Sequence, residues 1–176
     1  MVALARLLTN PLNPTNDMKL ANQQGFSLIE LLIVVVIVGV LAGIAIPNLL
    51  ASRRAANEAS TVSALRTIHS CQVTYFSTVG NGDYTDLPTL ALHTLTDNVL
   101  GTGTKSGYNY VVNPTASGVR PALFYSTSVP VTPNGPAQSG TRRFGMTEDG
   151  TLHGDSSALT PYASRDDVRS APTLAN

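Results

Sequence analysis

From Leu31 to Ile46 the chain reads LLIVVVIVGVLAGIAI, apolar residues and glycine only, with Glu30 standing directly in front. As a helix rising 1.5 Å per residue this run reaches about 24 Å, short of a hydrocarbon core roughly 30 Å thick. Starting at Phe26 lengthens it to about 31 Å, which spans a bilayer but places Glu30 inside. A carboxylate at mid-bilayer costs roughly 2.5–3.5 kcal/mol, and less near one end. Glu30 therefore either marks where the helix leaves the lipid or is a functional group awaiting a partner. Residues 18–51 loosely match a secretory signal, with Lys19 before the apolar stretch and Ala51-Ser52 behind it, but a carboxylate against that stretch is unusual for one. Charge bias sets no direction, because Arg6 and Lys19 precede the segment and Arg53 and Arg54 follow it.

The remaining composition narrows the function classes. Eleven basic and eleven acidic residues give a formal net charge of zero, unlike a general nucleic-acid binder. Cys71 is the single cysteine, so no intrachain disulfide can form. Tryptophan is absent and aromatics make up 6%, which implies a small, mainly aliphatic core. Gly, Pro, Ser and Thr crowd the sequence after residue 77 and favour short strands and turns.

The stretch Gly25-Phe26-Ser27-Leu28-Ile29-Glu30-Leu31-Leu32 resembles the class III signal of type IV pilins and of the type II secretion pseudopilins. The resemblance implies cleavage by a prepilin peptidase between Gly25 and Phe26, N-methylation of Phe26, and a place for Glu30 as the fifth residue of the mature chain. It further implies that the Glu30 carboxylate meets the N-terminal ammonium of a neighbouring subunit as a filament is built. Two opposite charges in a low-dielectric setting each offset the penalty of the other, and the pairing fixes axial register. The family leader is short, polar and carries a basic residue, which Met18–Gly25 satisfies alone, so residues 1–17 read as an upstream extension or a misassigned start.

Gly39, Gly43 and Pro47 fall four residues apart. The GxxxG pair permits close helix approach in membranes. Pro47 cannot donate to the Gly43 carbonyl, and each glycine costs about 1 kcal/mol of helix stability relative to alanine. Residues 39–47 are thus the weakest stretch of the stem. A bend at Pro47 is the simple expectation for a free subunit. The resemblance implies a stem helical in the membrane and partly extended in a fibre. Beyond Pro47 the pattern turns amphipathic, with Val62, Leu65, Ile68, Tyr75, Phe76 and Val79 near helical spacing and Cys71 and Gln72 on the same side. Arg53, Arg54, Asn57, Glu58 and Arg66 suit wetter faces, and Gly80-Asn81-Gly82 stops the helix.

After a loop at residues 83–88, one or two helical turns fit within 87–99. Strand candidates are Tyr108–Asn113, Ala122–Val129, Arg142–Thr147 and Thr151–Gly154, the last two joined by the turn Glu148-Asp149-Gly150. These add up to an α+β chain, a long N-terminal helix packed on a small antiparallel sheet of three or four strands, which is the pilin fold that the resemblance implies. The divisions are leader 1–25, transmembrane or filament-core helix 26–51, amphipathic half-helix 52–79 and head 80–176, whose polar residues 155–176 hug the surface or trail.

No catalytic constellation emerges. His69, His93 and His153 are scattered without zinc spacing. Gly101–Ser106 lacks the glycines of a phosphate-binding loop and reads as a flexible loop before the first strand. Cys71 suits inert packing, and Arg142-Arg143 is too small a basic spot for DNA uptake. No cofactor is expected; calcium at Asp149, Asp155, Asp166 and Asp167 is the weaker alternative to solvated acids. The resemblance implies a structural subunit, of major-pilin type, stored in the inner membrane with its N-terminus cytoplasmic and polymerised into a surface fibre for adhesion, motility or DNA uptake. Its partners would be its own copies, minor pilins, the prepilin peptidase, the assembly platform and, before assembly, the bilayer; no specific nucleic acid is indicated. A pseudopilin of a type II secretion system, a minor pilin with a tip role, and a signal-anchored envelope enzyme are the alternatives.

Overall fold

A computed structural model describes residues 25–156 and 160–174 of this chain. The first helix, α1 (Leu28–Ser77), is followed by two short helices, α2 (Leu87–Leu92) and α3 (Asn98–Gly101). Five strands come next: β1 (Thr104–Lys105), β2 (Tyr108–Pro114), β3 (Phe124–Pro130), β4 (Arg143–Thr147) and β5 (Leu152–Asp155). The last helix is α4 (Arg165–Ser170). The chain divides into two compact units, one ending at Leu41 and one beginning at Ala42.

In the first unit the described residues are Gly25-Phe26-Ser27, outside any helix or strand, and the opening turns of α1. Ser27 supplies the first carbonyl of the helical ladder, accepting from the Leu31 amide at 3.2 Å. The apolar side chains here are exposed over the whole circumference, from Phe26 at 78% through Leu31 and Val38. A helix apolar on every side has no aqueous face and suits a lipid or protein surround.

In the second unit α1 continues unbroken through Pro47, where the sequence suggests a bend, and ends at Ser77, two residues before the expected Val79. Capping there comes from Gly80 and Gly82, whose amides donate to Tyr75 and Phe76 carbonyls at 2.7 and 3.0 Å. The buried face of α1 is Glu58, Thr61, Ala64, Leu65, Ile68, Cys71 and Gln72. Val62 and Tyr75 lie at its margin, while Phe76 and Val79 point to solvent. The face turns gradually because 3.6 residues per turn does not divide a seven-residue spacing, so late members of the expected stripe rotate out of contact.

The sheet is antiparallel throughout, in the order β1-β2-β3-β4-β5. Strand β2 alternates strictly, with Tyr108, Tyr110 and Val112 inward and Asn109 and Val111 outward. Phe124, Phe144, Met146 and Leu152 complete the inner face, and all pack with α1, Leu87, Leu90 and Leu100 into one core. Tyr110 donates to Thr61 Oγ1 at 3.1 Å, and Gln72 bridges Thr85 by donating to its carbonyl and accepting from its amide, while Ser128 Oγ is buried without a hydrogen-bond partner among the described residues. The turn Glu148–Gly150 joins β4 and β5 as expected; Gly150 adopts φ +74°, and Asp149 accepts from Thr147 Oγ1 and the Thr151 amide.

Three expectations need correction. The sheet has five strands, because Thr104–Lys105 pairs with Asn109 and Tyr108 across a tight turn at Ser106-Gly107. Gly101–Ser106 is accordingly the end of α3 plus a strand, not a flexible loop. The region 155–176 does more than hug the surface: α4 lies over the outer face of β3–β5, with Val168 fully buried and Tyr162 nearly so. Gly145 makes room for it, since a Cβ there would sit 2.8 Å from Val168 Cγ1. Two side chains in a glycine-floored seat seal that face, too few for any periodicity to reveal.

Helix α2 depends on one capping side chain. Asp86 Oδ1 accepts from the Thr89 amide at 3.0 Å, and Pro88 takes a first-turn position where its missing donor is harmless. Replacing Asp86 by alanine is expected to lower unfolding stability by about 1 kcal/mol, and by asparagine hardly at all. Urea midpoints of the two variants check this.

Candidate assembly segment

Gly25 and Phe26 precede the helix, fully accessible, and a Cβ on Gly25 would meet nothing within 4 Å. Glu30 lies exposed in the first turn of α1, where a negative charge complements the positive end of the helix dipole. Within this single chain no cation reaches it among the described residues. An 18-residue window of α1 has a mean hydropathy of 3.0 and is 0% buried, long and apolar enough to cross a membrane. Gly39 and Gly43 are equally open, with nothing within 4 Å of an added Cβ. Pro47 lies inside the helix. The leader residues before Gly25, Met18 among them, lie outside the described residues.

Further along α1, a cluster that sequence reasoning missed ties the helix to the β3–β4 connection. Glu58, assigned by type to a wet face, is 8% exposed. Its Oε1 accepts from the Thr141 amide at 2.8 Å and from Thr141 Oγ1 at 2.7 Å, and its Oε2 accepts from Arg142 Nε at 2.9 Å. Burial alone would raise the carboxyl pKa, but the bonds from Thr141 and Arg142 together hold it below the usual range. Asn57 donates to the Ser139 carbonyl at 2.9 Å and Arg54 to Gln138 Oε1 at 3.2 Å. The available signal was position: Glu58 lies three, seven and ten residues before Thr61, Leu65 and Ile68, on the same helical stripe.

The apparent basic spot Arg142-Arg143 dissolves, because alternate residues of a strand face opposite sides. Arg142 turns to Glu58, while Arg143 pairs with Asp155 at 3.0 Å and stacks over Tyr162 at 4.0 Å. Tyr162 in turn donates to Asp155, and its phenol is pushed up to about 12 by burial and by that carboxylate. Asp149 is occupied by its own turn. No group of three or more His, Cys, Asp or Glu that could hold a metal occurs among the described residues. Cys71 is buried, its thiol donating to the Leu95 carbonyl at 2.8 Å and raised in pKa by burial. His69 bonds the Glu148 carbonyl and His153 the Ala171 carbonyl, so the two histidines serve packing contacts.

The chain thus pairs an apolar helix that carries one carboxylate in its first turn with an α+β head. Residues 20–46 match the family model of the prokaryotic N-terminal methylation motif. The chain is similar to the type IV wide pilus major component PilA4 of Thermus thermophilus, 44% identical over 64 residues, 36% of this chain and 47% of the relative. It is also similar to the type IV major pilin protein PilA of Myxococcus xanthus, 41% identical over 54 residues, 31% of this chain and 24% of the relative. The matched segment thus spans less than half the length of either relative. No solved structure matches the chain.

Proposed function

We propose that this chain is a structural subunit of a type IV pilus-like filament, held in the inner membrane by α1 until it joins copies of itself. The observation that carries this reading is the methylation motif at residues 20–46 on a stem that buries none of its apolar window. Cleavage falls between Gly25 and Phe26, where the chain lies outside the helix and is exposed, and Phe26 takes the methyl group. Its new ammonium faces the Glu30 carboxylate of a neighbouring copy. The glycines and Pro47 let the stem give up helix when copies pack. The N-terminus is cytoplasmic before assembly and the fibre extracellular after it. The role is structural, and the prepilin peptidase, an assembly platform and minor pilins are the partners it requires.

Two measurements test this. Shearing producing cells is expected to release the protein in long fibres; confinement to the envelope would refute the pilus role and leave a short secretion filament. Intact-mass analysis of the sheared protein is expected to give a chain beginning at Phe26 and one methyl group heavier than its sequence. A mass that retains residues before Phe26 rejects the cleavage site.

A further inference from the structure

The charge-free part of the stem runs past the apolar run, from Leu31 to Ser52, between Glu30 and Arg53. As helix it measures about 33 Å, close to the thickness of a hydrocarbon core. Arg53 is exposed and carries no side-chain bond among the described residues. Helical side chains lean toward the N-terminus, so its guanidinium reaches back toward the apolar stretch. Beside it, Arg54 and Asn57 hold Gln138 and Ser139, fixing the connection 131–139 against this turn of α1. That connection, VTPNGPAQS, has no charged residue, and Val131 and residues 134–137 are exposed.

From these placements we infer that the base of the head is a lipid-facing surface: Arg53 takes a lipid phosphate, and the neutral connection 131–139 rests on the headgroup layer. Guanidinium groups bind phosphate through paired donors, and a cation at this level is drawn to an anionic leaflet. An acidic loop at the same place would be repelled by an anionic leaflet. The surface sets the depth of the head on the membrane. This rests on the membrane-anchored reading above and names the lipid contact of the same stem.

The test uses the full chain with Cys71→Ala, reconstituted in vesicles of phosphatidylethanolamine and phosphatidylglycerol, with one nitroxide at Ala51→Cys or Ala137→Cys. Depth is read from accessibility to oxygen against a water-soluble nickel complex. The label at residue 51 is expected at phosphate level, to sink by roughly 3–5 Å in Arg53→Gln, less than one helical turn, and to stay in place in Arg53→Lys. The label at residue 137 is expected to be several-fold less accessible to nickel than one at Asp166→Cys, whose native side chain is 93% exposed. An unchanged depth in Arg53→Gln, or equal nickel access at residues 137 and 166, overturns the proposal while leaving the anchored reading intact. A chain that fails to float with the vesicles overturns both.

Discussion

Cells carrying Glu30→Ala are expected to insert the protein normally and yield almost no sheared fibre. Removing the carboxylate cannot hinder insertion, since a charge in the hydrocarbon costs roughly 2.5–3.5 kcal/mol even on lenient scales. Assembly is different. On the proposed reading, cleavage before Phe26 would create an ammonium at the tip of an apolar stem, and packing stems together would withdraw that ammonium from water. Without a counter-charge, each added subunit carries an unpaired buried ion, a loss of about 3–5 kcal/mol when one partner of such a pair is deleted. Because 1.4 kcal/mol is tenfold in an equilibrium constant, the elongation equilibrium falls by at least a hundredfold. Glu30→Gln should behave like alanine, because shape without charge offers the ammonium no offset. Comparing membrane and sheared fractions on one blot reads both halves, and wild-type fibre yield in either variant would sink the assembly role of Glu30.

The second large effect is expected at Glu58, in the helix face under the head. Glu58→Ala strips the Thr141 amide and hydroxyl of their acceptor in a nearly closed site. Bonds to a charged group contribute about 1.5–3 kcal/mol each before neighbours relax, whereas the Arg142 side chain is 43% exposed and adds little through water. A net loss of about 2–3 kcal/mol, or roughly 8 °C in melting temperature, is the expected outcome. The pH dependence carries its own sign. The folded carboxyl has a lowered pKa, so its contribution is present above the ordinary value of 4.5 and is lost as pH falls through the folded value. Glu148 and Asp149 are lowered in the same direction, despite burial, by Arg165 and by the Thr151 amide respectively. Urea unfolding of the full chain in detergent should therefore separate wild type from Glu58→Gln widely at neutral pH and narrowly at strongly acid pH. A gap independent of pH would refute this account.

Sequence legibility followed physical redundancy. A run such as Leu31–Ile46 has few meanings in any solvent, and the motif around Gly25, Phe26 and Glu30 matches the methylation family model over residues 20–46. Strands β2 to β5 were located to within two residues, because alternation and the Glu148–Gly150 turn mark them independently. Strand β1 has two residues and no period to read. Glu58 was misplaced because a carboxylate type outweighed its position on the stripe, and its partners Thr141 and Arg142 lie more than eighty residues away. Helix α4 escaped because Val168 and Tyr162 need only a glycine opposite them, and that complementarity exists in three dimensions alone. The roles proposed for Phe26, Glu30 and the weak stretch at Gly39, Gly43 and Pro47 would involve a peptidase and other copies of the chain, so a single subunit exhibits their placement and not their use.

The seat over Gly145 has a consequence for the order of events in synthesis. The sheet's outer face is covered by residues 162–168, with the Tyr162 amide on Thr127 Oγ1 and Val168 against Gly145, while the Leu174 amide pairs with the Leu152 carbonyl along the edge of β5. A nascent head that has emerged only through β5 displays that floor bare, with the inner core already coverable by α1. Covering that face therefore waits on residues 162–168, and a chain cut before them leaves the sheet floor over Gly145 open.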